Sequence, residues 1–183
     1  QMTYARLKAA EEHVTARFGE HVPTTLMTLT APHNDPQGDP RPFVDVLEDI
    51  KAGWDKTRRV IRRYTEGRET EMMTVFEPHE TGYPHLHVLV FGAALPSLGS
   101  KVQDYWTERY VEGASKAAQD VSISDGRSAQ LESPAAYVMK YLSKTLIRDS
   151  EASKTAKEAM PTVHGYRKFS ALMWVTGSRH YTM

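Results

Sequence analysis

Apolar residues recur along this chain with two different periods, and the switches between them sketch its elements. Over residues 3–19, Tyr4, Leu7, Val14 and Phe18 return at roughly helical spacing and Gly19 closes the run. Thr24 to Thr30 is rich in threonine and apolar residues and predicts a strand. A turn-rich stretch follows, marked by Pro32, Asn34, Pro36, Gly38, Pro40 and Pro42. Phe43 to Tyr64 is the strongest helical segment. Phe43, Val46, Leu47, Ile50, Trp54, Ile61 and Tyr64 share one stripe, and Gly53 weakens its middle. Met72 to Phe76 and His85 to Phe91 read as strands, joined by the loop Pro78 to Pro84 into a hairpin. A helix is expected over Lys101 to Val111 and a short strand over Val121 to Ser124. Ser133-Pro134 pairs an N-cap residue with proline at the first helical position, opening a helix toward Arg148; Phe169 to Val175 reads as a last strand. Hairpin strands with helices between them predict an α+β fold, a central antiparallel sheet with helices packed against it.

Composition narrows the chemistry. The 183 residues form one domain large enough for a real core, with globular proportions of 40% hydrophobic and 25% charged residues. There is no cysteine, so disulfides, thiolate nucleophiles and cysteine-zinc sites are excluded together, and any metal must be held by His, Asp or Glu. No apolar run is long enough to span a bilayer and no secretory signal is present, which predicts a cytoplasmic protein with no membrane partner. Lys+Arg and Asp+Glu both number 23. That balance counts mildly against nucleic-acid binding as a global property but leaves room for a local basic face. Starting at Gln1-Met2 and stopping after Tyr181-Thr182-Met183, the chain is expected to be a domain excised from a longer protein.

The segment with most chemical content is His85-Leu86-His87-Val88-Leu89-Val90-Phe91. Strand side chains alternate faces, so His85 and His87 point the same way. A lone histidine in an apolar strand is more often a core residue bonded to backbone. A same-face pair on a rigid strand forms half of a divalent-metal site. If the hairpin turns about Thr81, Glu77 falls opposite His85 and Pro78 opposite Pro84. Glu77 then completes a His-His-carboxylate set that suits Mg²⁺ or Mn²⁺ as well as Zn²⁺. A one-residue slip would turn Glu77 away, leaving His79, Glu80 or His33 as substitutes.

A second unusual stretch is Tyr137-Val138-Met139-Lys140-Tyr141-Leu142-Ser143-Lys144. Tyr137, Lys140, Tyr141 and Lys144 occupy i, i+3, i+4 and i+7, one face of a helix. Two phenols interleaved with two ammonium groups can be amphipathic packing beside snorkelling lysines. They can equally be phenols held near phenolate by neighbouring positive charge.

Together these stretches resemble the HUH endonucleases, and most closely the two-tyrosine rolling-circle replication initiators (Rep proteins) of small plasmids and phages. Leu26-Met27-Thr28-Leu29-Thr30 is similar to the family's first motif, His85-Leu86-His87 to its His-hydrophobic-His motif, and Tyr137 to Lys144 to its nucleophile motif, in the family's order. Tyr166-Arg167-Lys168-Phe169 to Ser178-Arg179 resembles the tail of small archaeal plasmid initiators. A net charge of zero argues against an extreme halophile as host.

The resemblance implies a single HUH endonuclease domain over residues 1–183 that nicks and rejoins single-stranded origin DNA. His85, His87 and Glu77 would hold one Mg²⁺ or Mn²⁺. Tyr137 or Tyr141 would become linked to the 5′ phosphate, with Lys140 and Lys144 offsetting phosphate charge. Lys56, Arg58, Arg59, Arg62 and Arg63, clustered late in the long helix, would grip DNA backbone, although cations are also favoured at a helix C-terminus for its dipole alone. No helicase motif is present, so a helicase would be a separate domain or a host protein. The alternatives are an HUH transposase or relaxase, and a non-catalytic origin-binding domain. A histidine-triad nucleotide hydrolase would need a third histidine where this chain has Leu89.

Overall fold

The computed structural model describes residue 9 and residues 12–19, 21–78, 82–124 and 181–182. In chain order these give β1 (Thr24–Leu29), α1 (Phe43–Tyr64), β2 (Glu71–Pro78), β3 (Pro84–Phe91), α2 (Pro96–Tyr105), β4 (Asp120–Ser124) and β5 (Tyr181–Thr182), and residues 12–18 are helical. The strands make one sheet in the order β4-β1-β3-β2-β5, antiparallel throughout. The expected α+β architecture is what is found. The helix and strand expected over 133–148 and 169–175 lie outside the described residues.

Strand alternation sorts β1 and β3 into two faces. Met27, Leu29, Leu86, Val88 and Val90 face one way and are fully buried. They pack with Val46, Ile50 and Ile61 of α1 and with Leu98 and Val102 of α2. The other face carries Leu26, Leu89, Phe91, Met73 and Val75, covered at one end by Val14 and Phe18 of the 12–18 helix and by Val22. This helix is tied to the start of β2 by His13 to Glu71 at 2.9 Å, by Arg17 to Glu69 at 2.8 Å, and by a further Arg17–Glu71 pair. The two carboxylates push the Arg17 pKa up from its ordinary value, Glu69 most strongly.

Gly53 is a packing requirement rather than a weak spot. A Cβ there would stand 2.8 Å from Val111 Cγ2 and 2.9 Å from Trp106 Cζ3, so only glycine lets α1 approach these side chains. Trp106 opens a π-helical turn, Trp106–Tyr110, that continues α2; Val111 N–H reaches Trp106 C=O at 2.9 Å. Trp106 is fully buried and its Nε1–H donates to Thr30 C=O at 2.7 Å. Gln119, also buried, donates to Thr30 Oγ1 at 2.9 Å and accepts from Thr30 N–H at 2.7 Å. The end of β1 is therefore clamped from two sides. The helix expected to begin at Lys101 begins at Pro96, which fills the first helical position.

Candidate functional site

The hairpin register puts the candidate ligands together. Glu77 lies directly opposite His85 and Pro78 opposite Pro84, the pairing expected for a turn centred on Thr81. On its other side His87 is opposite Thr28 of β1, which is in turn opposite Asp120 of β4. His85, His87, Glu77 and Thr28 thus share the sheet face away from α1, toward the hairpin end and beyond the apolar cluster that the 12–18 helix packs against.

His87 sits at the centre of a polar chain. Its Nε2 is 2.8 Å from Glu77 Oε2 and its Nδ1 is 3.1 Å from Thr28 Oγ1. A carboxylate only accepts, so Nε2–H donates to Glu77, and in the neutral ring Nδ1 is left to accept the Thr28 hydroxyl proton. A hydroxyl can also accept. Thr28 can therefore serve the opposite tautomer, in which Nδ1 carries the proton and Nε2 offers a lone pair. The His87 and Glu77 side chains keep 8% and 14% of their surface, and His85 is half-buried, so the cluster is partly shielded yet reachable.

The donor set of two imidazoles and one carboxylate suits a hard or borderline divalent cation. Among the described residues, however, no three His, Asp or Glu groups stand arranged to hold an ion. The Glu77 carboxylate is spent on the His87 N–H, so loading requires that proton to leave Nε2.

At the hairpin mouth, Tyr83 stacks on His33 with ring centroids 5.2 Å apart and donates its hydroxyl to Arg41 C=O at 2.5 Å. Arg41 in turn bonds Asp49 at 2.6 Å and Pro32 C=O at 3.0 Å. His33, a substitute ligand on sequence grounds, is engaged in this stack; His79 and Glu80 lie outside the described residues.

Tyr137, Lys140, Tyr141 and Lys144 also lie outside the described residues. Lys56, Arg58, Arg59, Arg62 and Arg63 are on α1, in the helical layer across the sheet from His87. They divide into two rows. Arg58 and Arg62 line a groove with Trp54 and His13, and Lys56, Arg59 and Arg63 line another with Tyr105, Arg109 and Tyr110. A strand lying over the histidine face would have to pass round the sheet to touch either row. Sequence reasoning missed Thr28 as a partner of His87, although its place in a strand of the first motif was legible. It also missed Arg109 and Tyr110, which sit in the unforeseen π-helical turn, and Tyr105 at the end of α2.

The whole chain, residues 1–183, matches the model of a family described as "Putative rep protein (DUF1424)". The chain belongs to this family. It is 29% identical over 198 residues to an "Uncharacterized 36 kDa protein" of Halobacterium salinarum, covering 99% of this chain and 59% of that protein. A protein of the same description from Halobacterium sp. (strain GN101) is 28% identical, again over 99% of this chain and 59% of the relative. "Uncharacterized protein 1" of Halorubrum pleomorphic virus 1 is 26% identical over 85% of this chain and 32% of its own length. The chain thus spans about three-fifths of the two Halobacterium relatives and a third of the viral one. No helix among the described residues is long and apolar enough to cross a membrane.

Proposed function

We propose that this Rep-family chain is an HUH-type, two-tyrosine nickase that initiates rolling-circle replication by cutting and rejoining single-stranded origin DNA. The observation that carries the reading is the meeting of Glu77 with His87 on the face shared by His85, with Glu77 directly opposite His85. An alternating histidine pair with an opposed carboxylate on one sheet face supplies three donors for a cation.

His85, His87 and Glu77 would hold one Mg²⁺ or Mn²⁺, which when bound supplies positive charge beside the scissile phosphate. The chain's own groups do the rest. Thr28 orients the His87 ring from its Nδ1 side and accommodates either tautomer. A phenol oxygen of Tyr137 or Tyr141 attacks phosphorus and forms a P–O bond. The bond to the 3′ oxygen breaks, and that oxygen takes a proton to leave as a free 3′-OH. The product is a 5′-phosphotyrosyl link that conserves the bond energy, so rejoining needs no nucleotide triphosphate. Lys140 and Lys144, at helical spacing from both phenols, offset phosphate charge and favour phenolate. A second tyrosine allows a second cut while the first link persists. Strand separation would fall to a helicase domain or host helicase.

The test is a nicking reaction on single-stranded origin DNA with Mn²⁺, in which the fragment downstream of the nick, labelled at its 3′ end, becomes covalently attached through its 5′ phosphate to Tyr137 or Tyr141. A second reading, an origin-binding domain without nuclease activity, draws on the hydrogen bond that occupies Glu77. Under that reading the chain binds the same DNA, takes up no Mn²⁺ and forms no adduct.

A further inference from the structure

The helical layer carries a second assembly of cations that the histidine face does not use. Between α1 and the turn after α2 runs a groove of about 350 Å³ lined by Lys56, Arg59, Arg63, Tyr105, Arg109 and Tyr110. Lys56, Arg59 and Arg63 follow one another at i, i+3 and i+7 along α1. Each tyrosine ring is taken by a cation. Lys56 Nζ lies 5.6 Å from the Tyr110 centroid, and Arg109 Cζ 4.9 Å from that of Tyr105. Lys101 Nζ, just beyond, is 5.8 Å from the Tyr105 centroid and 5.0 Å from that of Tyr64. Its pKa is pushed up, first by a hydrogen bond to Tyr64 and then by Tyr105.

These contacts hold long, flexible side chains in place, which lowers the entropy cost of binding a multiply charged ligand. No carboxylate among the described residues forms an ion pair with Lys56, Arg59, Arg63 or Arg109. Asp55 is engaged by Arg58 at 3.1 Å and Asp104 by Lys116 at 2.5 Å. In a chain of zero net charge, such a group of uncompensated cations is a local anion site.

We propose that this groove on the helical layer binds the phosphate backbone of duplex DNA, as a second DNA surface separate from the histidine face. The proposal rests on the reading of the chain as a DNA-processing initiator. Single-strand surfaces combine cations with open aromatic platforms on which bases stack. Here the tyrosines are already covered by cations, so the groove offers charge and little room for stacking. A backbone whose bases are paired and turned inward matches that chemistry, and a strand with unpaired bases does not. The same DNA can then lie as a single strand over His85 and His87 while its duplex flank rests on the other side of the sheet.

The test measures fluorescence anisotropy of a labelled duplex of arbitrary sequence, and of a single strand of equal length, against salt concentration. Arg59, Arg63 and Arg109 are exposed, and Arg59→Gln/Arg63→Gln/Arg109→Gln should fold normally. It should flatten the log–log salt slope for duplex by about 0.9 per lost phosphate contact and weaken binding about tenfold or more at moderate salt. The single strand should lose less. The triple lysine variant keeps the charges and should restore most of the slope. An unchanged duplex slope, or an equal loss for single strand and duplex, overturns the proposal. A chain that shows the duplex effect but forms no covalent adduct leaves this surface standing and removes the nickase reading. An adduct with an unchanged duplex slope does the reverse.

Discussion

On one side of β3, Leu86, Val88 and Val90 are fully buried beneath two helices; on the other, His85 is half-buried and His87 is joined to Glu77 and Thr28. One strand of eight residues thus serves two purposes, divided by the alternation of its side chains. The helical side is a continuous apolar layer whose worth is stability. The histidine side is apolar only as far as Val14 and Phe18 cover it, and it turns polar at the hairpin end. The lesson is that the two apolar clusters can hold the strand rigid, so the polar end of the histidine face carries less of the burden of stability. Its residues are free to be chosen for chemistry, and a rigid strand holds them within the tolerance that chemistry needs.

The sharpest way to break this comparison is to cut each side of the same strand. Leu86→Ala should cost about 2–5 kcal/mol in urea or thermal unfolding, through lost burial and the cavity left behind. His85→Ala/His87→Ala should leave the unfolding midpoint within about 1–2 kcal/mol of wild type while nicking falls by more than about 1,000-fold. A double histidine variant that unfolds like Leu86→Ala would return the histidines to the core and dissolve the distinction.

Much of this division was legible in the sequence, because period-2 alternation with apolar flanks leaves the hairpin little choice of register. A slip by one residue would have exchanged Leu86 and Val88 with His85 and His87 between the two faces of the sheet. The pairing of Glu77 with His85 was legible only on the assumption of a turn centred on Thr81, the register that the structure adopts. Thr28 was not legible as a partner of His87, because which residue of β1 lies opposite depends on a long-range pairing that no local pattern encodes. The basic residues of α1 were visible as a cluster. Their face was not used, although Val46, Ile50 and Ile61, buried on the same helix, fix which side meets the sheet. The π-helical turn that brings Trp106 against Gly53 left no periodic signature, so Gly53 read as a defect.

Smaller changes sharpen the account on each side. On the histidine face, Glu77→Ala should weaken Mn²⁺ binding, read by calorimetry, by about 10- to 100-fold, and more than Glu80→Ala does. The reverse order would remove Glu77 from the ligand set. On the helical face, Gly53→Ala should destabilise by about 1–3 kcal/mol despite alanine's better helix propensity, because its Cβ meets Val111 and Trp106. A stabilised variant would show that the α1 packing is loose. The smallest effect is expected at Thr28, where valine removes the hydroxyl beside His87 Nδ1. Mn²⁺ affinity should fall by about tenfold, with serine restoring it and ¹⁵N shifts of His87 reporting a changed tautomer balance. Equal affinities for the threonine, serine and valine forms would make the hydroxyl a bystander.

The central claim, that the histidine face cuts DNA through a tyrosine, is tested most directly by incubating the chain with a labelled single-stranded origin oligonucleotide and Mn²⁺. Mass spectrometry of the denatured protein should then locate the label. The account predicts a covalent adduct on Tyr137 or Tyr141, lost in His85→Ala/His87→Ala and in Tyr137→Phe/Tyr141→Phe. Each single phenylalanine variant should retain some adduct. Cleavage that proceeds without any protein-bound DNA, or an adduct that survives removal of both histidines, would contradict it.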